Sequence, residues 1–235
     1  MSQSTEAGST KAWTQASGRG HELRPTLLTT PGVGLLVRWI SRLLLRLLGW
    51  RVVGSAPTTP RYVLVAAPHT SNWDAFYLVM MASVLRIPIR WLGKHTLFRF
   101  PFGGLMRWFG GIAVDRRRRG GQVARAARLF ERFDHLVIVV PPEGTRARND
   151  RWKTGFYYIA TTAEVPVALG FLDYASKTGG VGPLFLPSGD LDADLPRIRE
   201  FYADKTGLRQ AMFGNAASDE SSEAVREPGP GQESR

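Results

Sequence analysis

Tyr62-Val-Leu-Val-Ala-Ala67 runs into Pro68-His-Thr-Ser-Asn-Trp-Asp74, and together they read as a buried strand, a loop and the first turn of a helix. The apolar run has the length of a strand. Thr70-Ser71-Asn72 supplies the residue types that cap helix starts, and the helix is expected from Asp74 to about Leu85. The same cadence recurs along the chain. Ile89-Arg-Trp-Leu92 and Gly111-Ile-Ala-Val114 read as strands, and a helix follows through Gln122–Phe133. Leu136-Val-Ile-Val-Val140 is the clearest strand, Trp152–Ala163 a helix, Val165–Phe171 a strand, and Gly182–Pro187 one strand more. Strands alternating with helices predict a single α/β domain with a largely parallel central sheet flanked by helices. Ligands of such sheets gather at the carboxyl ends of strands. His69 follows one strand end and Glu143 another, as a shared site requires.

The 235 residues suit one domain with flexible ends. Residues 1–22 are expected to be disordered, 23–50 to form an amphipathic basic membrane-binding helical segment, 51–213 the α/β domain, and 214–235 an acidic disordered tail. There is no cysteine, which removes disulfides, thiolate metal sites and a cysteine acyl-enzyme, and which suits a reducing compartment. The net charge of +11 is uneven, with about +13 on residues 21–213. A body this basic seeks nucleic acid, an anionic bilayer or phosphorylated small molecules.

Between the disordered start and the α/β region lies Gly32-Val-Gly-Leu-Leu-Val-Arg-Trp-Ile-Ser-Arg-Leu-Leu-Leu-Arg-Leu-Leu-Gly-Trp50. Arg38, Arg42 and Arg46 recur every fourth residue and so line one side of a helix. A spanning helix needs about 20 apolar residues, and each central arginine costs roughly 2.5–3.5 kcal/mol on insertion. Three of them argue against a span. A helix lying in the membrane plane would let them meet lipid phosphates, with Trp39 and Trp50 at headgroup level. The other reading is a helix packed on its own domain with a solvated basic stripe. The arginines also interrupt the apolar stretch a secretory signal would need, and no small-residue cleavage site follows.

His69 and Asp74 could form a base and its carboxylate. On a continuous helix five residues turn through about 500°, leaving two side chains about 140° apart. The pair works only with His69 in the loop and Asp74 in the first helical turn. Asp74 would then accept the ring N–H of His69 and leave the other nitrogen as a general base. Ser71-Asn-Trp-Asp74 also fits a capping box, which would make Asp74 a helix-start residue only. In Pro142-Glu-Gly-Thr-Arg146, Gly144 permits close backbone approach and Arg146 offers a planar fork for phosphate, with Arg148, Arg151 and Lys153 nearby. A solvated basic turn is the alternative. Lys94, at a strand end, could add a second phosphate contact or simply be exposed. The run Asp115-Arg-Arg-Arg-Arg-Gly-Gly121 has no interleaved aromatics, and no nucleic-acid-binding signature accompanies it, so no nucleic-acid partner is expected. His21, His95 and His135 lie outside any metal-ligand spacing, and no metal is expected.

Four fragments occur in a telling order: His69-Thr-Ser-Asn-Trp-Asp74, Gly110-Gly-Ile-Ala-Val-Asp-Arg116, Pro142-Glu-Gly-Thr-Arg146 and Val165-Pro-Val-Ala168. The chain resembles the glycerolipid acyltransferase family, of the bacterial 1-acyl-sn-glycerol-3-phosphate (lysophosphatidic acid) acyltransferase type, over roughly residues 35–175. The resemblance implies transfer of a fatty acyl chain from acyl-CoA or acyl carrier protein to a lysophospholipid, 1-acyl-glycerol 3-phosphate, giving phosphatidic acid. It implies no cofactor and no covalent intermediate. His69 would be the general base and Asp74 its partner. Lys94, Arg116, Glu143, Gly144, Thr145 and Arg146 would hold the acceptor's phosphate, and Val165–Ala168 would belong to the acyl-binding region or to the core. The family also implies an N-terminal helical element that binds anionic membrane, placing the protein at the cytoplasmic face as a peripheral or monotopic enzyme. Pro142 stands where the family usually has an apolar or aromatic residue, Lys94 is followed by His95-Thr96, and the arginine run is unusually long. These departures bear on the acceptor, which could be another lysolipid or glycerol 3-phosphate. A peripheral membrane-binding protein without turnover is the alternative of another class.

Overall fold

One seven-stranded sheet organises the chain, in a computed structural model that describes residues 23–69, 71–114, 121–143 and 152–208. The ends expected to be disordered, 1–22 and 214–235, lie outside the described residues, as does the arginine run 116–119. In chain order the elements are α1 (Val33–Leu47), β1 (Arg51–Val53), β2 (Arg61–Ala67), α2 (Asn72–Leu85), β3 (Ile89–Lys94), α3 (Gly103–Trp108), β4 (Gly111–Val114), α4 (Gln122–Arg132), β5 (Leu136–Val140), α5 (Gly155–Thr162), β6 (Val167–Asp173), β7 (Thr178–Phe185) and α6 (Leu191–Phe201). The strand order is β1-β7-β6-β2-β5-β3-β4, and every neighbouring pair is parallel except β6 and β7. The exception has a simple cause. Only the four residues Tyr174–Lys177 join β6 to β7, too few for a parallel crossover, so the chain turns back as a hairpin.

The central strands are covered on both faces, which is why they read as unbroken apolar runs. Along β2, Val63, Val65 and Ala67 face α4, α5 and α6, where Phe130, Phe156, Ile159, Ile198 and Tyr202 complete one core. Tyr62 and Leu64 face the other way, toward Ala82 and Leu78 of α2. The period of two along the strand sorts the side chains between the layers. A buried carboxylate, Asp194, pins α6 in place by accepting from the Tyr157 hydroxyl at 2.8 Å, the Ser188 N–H at 2.6 Å and the Ser188 hydroxyl at 3.0 Å.

Three elements escaped the sequence reading. β1 has only three residues, α3 six, and α6 carries Pro196 within a run of acidic residues. The expected strand at 182–187 begins earlier, at Thr178, because Gly179 and Gly180 belong to it. Glycine pairs usually punctuate turns. Here they let β7 come close to its neighbours: a Cβ at Gly179 would lie 2.5 Å from the Met81 sulfur, and one at Gly180 would overlap the Val53 carbonyl oxygen.

Helix α1 packs on α2 and on the segment around Leu28. Gly34, Ser41 and Leu45 share the buried face, and a Cβ on Gly34 would lie 2.5 Å from the Leu28 carbonyl oxygen. The large apolar side chains point the other way. Leu36, Ile40, Leu43 and Leu47 are exposed, Leu47 by 74%, and Trp39 beside them by 62%. The expected basic stripe is split. Arg38 is half-buried and donates from Nε to the Ser83 carbonyl of α2 at 3.2 Å, whereas Arg42 and Arg46 are exposed. No helix among the described residues is long and apolar enough to cross a membrane.

Candidate active site

Strand order decides which residues meet. The parallel neighbours β2, β5, β3 and β4 present their carboxyl ends on one rim. His69 stands just past β2, Glu143 just past β5, and Lys94 is the exposed last residue of β3. Arg116 follows β4 but lies outside the described residues, as do Gly144, Thr145 and Arg146.

The start of α2 fixes Asp74. Ser71 is the N-cap and its hydroxyl oxygen accepts from the Trp73 N–H at 3.1 Å. Asp74, only 2% exposed, completes the capping box by accepting the Ser71 N–H on Oδ2 at 2.6 Å. The same Oδ2 lies 3.9 Å from Nδ1 of the part-buried His69. That is an ion-pair distance, longer than a hydrogen bond. Capping and facing the histidine are therefore not rival roles of Asp74, because one carboxylate geometry does both.

Tyr174 was not singled out from the sequence. Its hydroxyl donates to Asp74 Oδ1 at 2.6 Å, where the Ser71 hydroxyl also donates at 3.0 Å. Burial and the neighbouring Asp74 carboxylate push the Tyr174 hydroxyl well above its ordinary pKa, so it remains a donor. Its ring stands edge-on to Trp50 at 4.9 Å and to Tyr77 at 5.8 Å. Lys177, three residues on in the same hairpin, donates to the Leu48 carbonyl beyond the end of α1 at 3.2 Å. The hairpin thus ties the α1 end to the carboxylate.

Glu143 is 2% exposed, and its Oε1 accepts the backbone N–H of His69 at 2.9 Å. Burial pushes its carboxyl up to about 7, the Asp74 charge adds to the rise, and the His69 N–H opposes it. An acidic oxygen turned to the His69 amide faces the base-bearing loop, a position the sequence reading did not give it.

Behind His69 lies a narrow apolar crevice with a cavity volume of about 30 Å³. Pro68, His69 and Asp74 line one end, Leu78 and Met81 its course beneath α2, and Leu85 and Ile87 the far end. Fourteen residues of α2 span roughly 21 Å.

The model of the family described as Acyltransferase matches residues 51–168, just over half of the chain. This chain belongs to the acyltransferase family. The match runs from β1 into β6 and takes in the whole rim of His69, Asp74, Lys94 and Glu143. Curated relatives include the 1-acyl-sn-glycerol-3-phosphate acyltransferases of Salmonella typhimurium, 32% identical over 107 residues, and of Escherichia coli strain K12, 32% identical over 108. Each match covers 43% of this chain and 42% of the relative, so the chain matches less than half the length of those proteins. A crystal structure of the 1-acyl-sn-glycerophosphate (LPA) acyltransferase PlsC from Thermotoga maritima aligns over 74% of this chain and 82% of that one, with a TM-score of 0.49 and 18% identity. A likeness of that degree carries no weight for function.

In this acyltransferase-family chain the raised Glu143 carboxyl has a stability consequence. The unfolded chain releases that proton near 4.5 and the folded chain holds it to about 7, so stability falls as pH rises through that window and levels off above it. The full cost is on the order of 3 kcal/mol. Glu143→Gln keeps an acceptor for the His69 N–H and does not titrate. Urea unfolding at a series of pH values is expected to give a shallower decline for the variant; parallel curves would show that Glu143 ionises normally.

Proposed function

We propose that this protein moves a fatty acyl chain from a thioester donor, acyl-CoA or acyl carrier protein, to the free hydroxyl of 1-acyl-glycerol 3-phosphate, giving phosphatidic acid. The observation that carries the reading is the His69–Asp74 pair at the mouth of an apolar crevice. A base at the end of a narrow apolar seam suits a reaction between an acyl group and an alcohol. The names of the curated relatives support the acceptor.

The mechanism follows from the two faces of the imidazole. Nδ1 faces Asp74, which leaves Nε2 as the base. The acceptor hydroxyl gives its proton to Nε2 as its oxygen attacks the thioester carbonyl. The tetrahedral adduct then collapses, the carbon–sulfur bond breaks, and the thiolate takes the proton back from His69. Asp74 holds the ring, and the 3.9 Å gap shortens when substrate and imidazolium charge arrive, as base–carboxylate contacts commonly do. Glu143 braces the His69 loop through its amide rather than touching phosphate. Lys94, with Arg116, Gly144, Thr145 and Arg146, supplies the phosphate contacts, a planar guanidinium being suited to a phosphate monoester.

Membrane contact is read from α1. A helix that buries glycine and serine while exposing Leu35, Leu36, Ile40, Leu43 and Leu47 presents apolar surface that water does not favour. Arg42 and Arg46 flank that face and suit lipid phosphates.

Labelled oleoyl-CoA, purified protein and anionic vesicles test the reaction, with lysophosphatidic acid, glycerol 3-phosphate and other lysophospholipids competing as acceptors. Labelled phosphatidic acid is expected from the wild type, and His69→Ala is expected to lose about a hundred-fold or more of the rate. Product on another acceptor would keep the chemistry and change the substrate, while full activity of His69→Ala would end the assignment. Leu78→Trp, which fills the crevice part-way along, is expected to favour shorter acyl-CoA donors; an unchanged chain-length profile would place the acyl chain elsewhere. The double variant Leu43→Glu/Leu47→Glu is expected to lose co-sedimentation with anionic vesicles while its urea stability stays within about 0.5 kcal/mol, since those side chains pack on nothing. Undiminished co-sedimentation would move the membrane contact off α1.

A further inference from the structure

Four arginines converge on a groove at the opposite end of the sheet from His69. It lies between the start of β3, the start of β4, the carboxyl ends of α3 and α4, and the segment Leu23–Pro25. Its volume is about 680 Å³. Arg90, the second residue of β3, is 6% exposed. Its Nη2 donates to the Arg24 carbonyl oxygen at 2.6 Å, but its buried Nε has no hydrogen-bond partner. Burial alone pulls the Arg90 guanidinium below its ordinary pKa. Arg24, Arg107 and Arg132 line the same groove and are exposed. Two of them also lie over rings, Arg107 over Phe98 at 5.7 Å and Arg132 over Phe133 at 5.4 Å. No carboxylate is among the described residues that line the groove.

This arrangement is costly without an anion. A buried guanidinium without a counter-charge carries a penalty of several kcal/mol, and three further cations around the same volume add repulsion. Arg38 and Arg61 end on backbone oxygens, of Ser83 and Phe130, whereas Arg199 also leaves a buried Nε unanswered but stacks over the Trp152 ring. Arg90 has one such bond and one orphaned N–H, and the groove is large enough to admit a ligand that would answer it. Guanidinium forks select phosphate by paired hydrogen bonds. We propose that this groove binds a phosphate-bearing ligand, held by Arg90 at the floor and by Arg24, Arg107 and Arg132 at the rim. Trp108, Ile112 and Phe133 give the ligand's attached group an apolar wall. The site is distinct from the acceptor's phosphate site. β3 carries Arg90 near its amino end and Lys94 at its carboxyl end, four residues and so roughly 13 Å apart along the strand. The phosphate could belong to a lipid headgroup or to a free phosphate compound, and the proposal stands on the groove whether or not the chain transfers acyl groups.

The test uses the full chain and two probes. Calorimetric titration with inorganic pyrophosphate is run on the wild type, on Lys94→Ala and on the double variant Arg107→Gln/Arg132→Gln. Binding is expected to survive Lys94→Ala and to weaken about ten-fold or more in the double variant. Sedimentation with phosphatidylcholine vesicles, with and without about 10 mol% phosphatidic acid, supplies the second arm. Loss of phosphatidic-acid-dependent retention in the double variant, reproduced in the wild type by competing pyrophosphate, identifies a headgroup. Loss of pyrophosphate binding with retention unchanged identifies a free phosphate compound, and both outcomes support the groove. Arg90→Met is expected to give the same losses; should it fail to fold, the exposed pair decides alone. Pyrophosphate affinity and vesicle retention both unchanged in the double variant would overturn the site.

Discussion

Asp74 must be both dry and anionic, and much of the site's architecture answers that requirement. A carboxylate at 2% exposure needs donors, and among the described residues three are the Ser71 amide, the Ser71 hydroxyl and the Tyr174 hydroxyl. Two of these come from the helix start and cost no additional structure. The third comes from the β6–β7 hairpin, a hundred residues away, and it obliges that hairpin to fold over the end of α2. The hairpin in turn requires Gly179 and Gly180, since any side chain there would push β7 off Met81 and β1. Placing one carboxylate thus constrains α2, the antiparallel edge of the sheet and the docking of α1 through Trp50 and Lys177.

The same economy explains why Glu143 is tolerable. Two acidic groups within one small site repel, and the rise of the Glu143 carboxyl to about 7 reflects that together with burial. Its contact with the His69 amide fixes the backbone from which the imidazole hangs. Asp74 faces the ring and Glu143 anchors the chain beneath it, so His69 is approached from two sides, by a group of α2 and by one just past β5. Such double anchoring steadies a side chain carried on a loop, because loops are otherwise the mobile part of an α/β fold.

What the sequence disclosed, and what it withheld, follows from the range of each interaction. Val63, Ile138 and Val167 lie on strands covered on both faces, so their runs announce the parallel sheet. His69 and Asp74 are five residues apart, and the junction that unites them is written locally in Ser71. Tyr174 carries no local mark, because its partner is chosen by topology. The leucines of α1 were legible as an apolar helix, but not the direction they face. That depended on Gly34 fitting against the Leu28 backbone and on Ser41 being buried, a matter of shape that periodicity does not report. The three-residue β1 and the proline-bearing α6 are held by the packing around them, against weak local signals.

Arg90 was hidden for a related reason: in Ile89-Arg-Trp-Leu92 it reads as one polar residue inside a strand. Helix dipoles would favour cations where Arg107 and Arg132 stand, since each lies in the last turn of its helix. That accounts for two exposed arginines without any ligand. It does not account for Arg90, which sits on a strand, is nearly excluded from water and leaves a donor unanswered. A methionine or leucine there would cover the same apolar surface with no desolvation cost, and replacing buried charge by such residues is often stabilising. A guanidinium kept in that position is therefore explained by what it faces, the groove, more readily than by the core it displaces. The parallel sheet then carries charge chemistry at both ends of β3, with Lys94 on the rim of the reaction centre and Arg90 at the floor of the other groove.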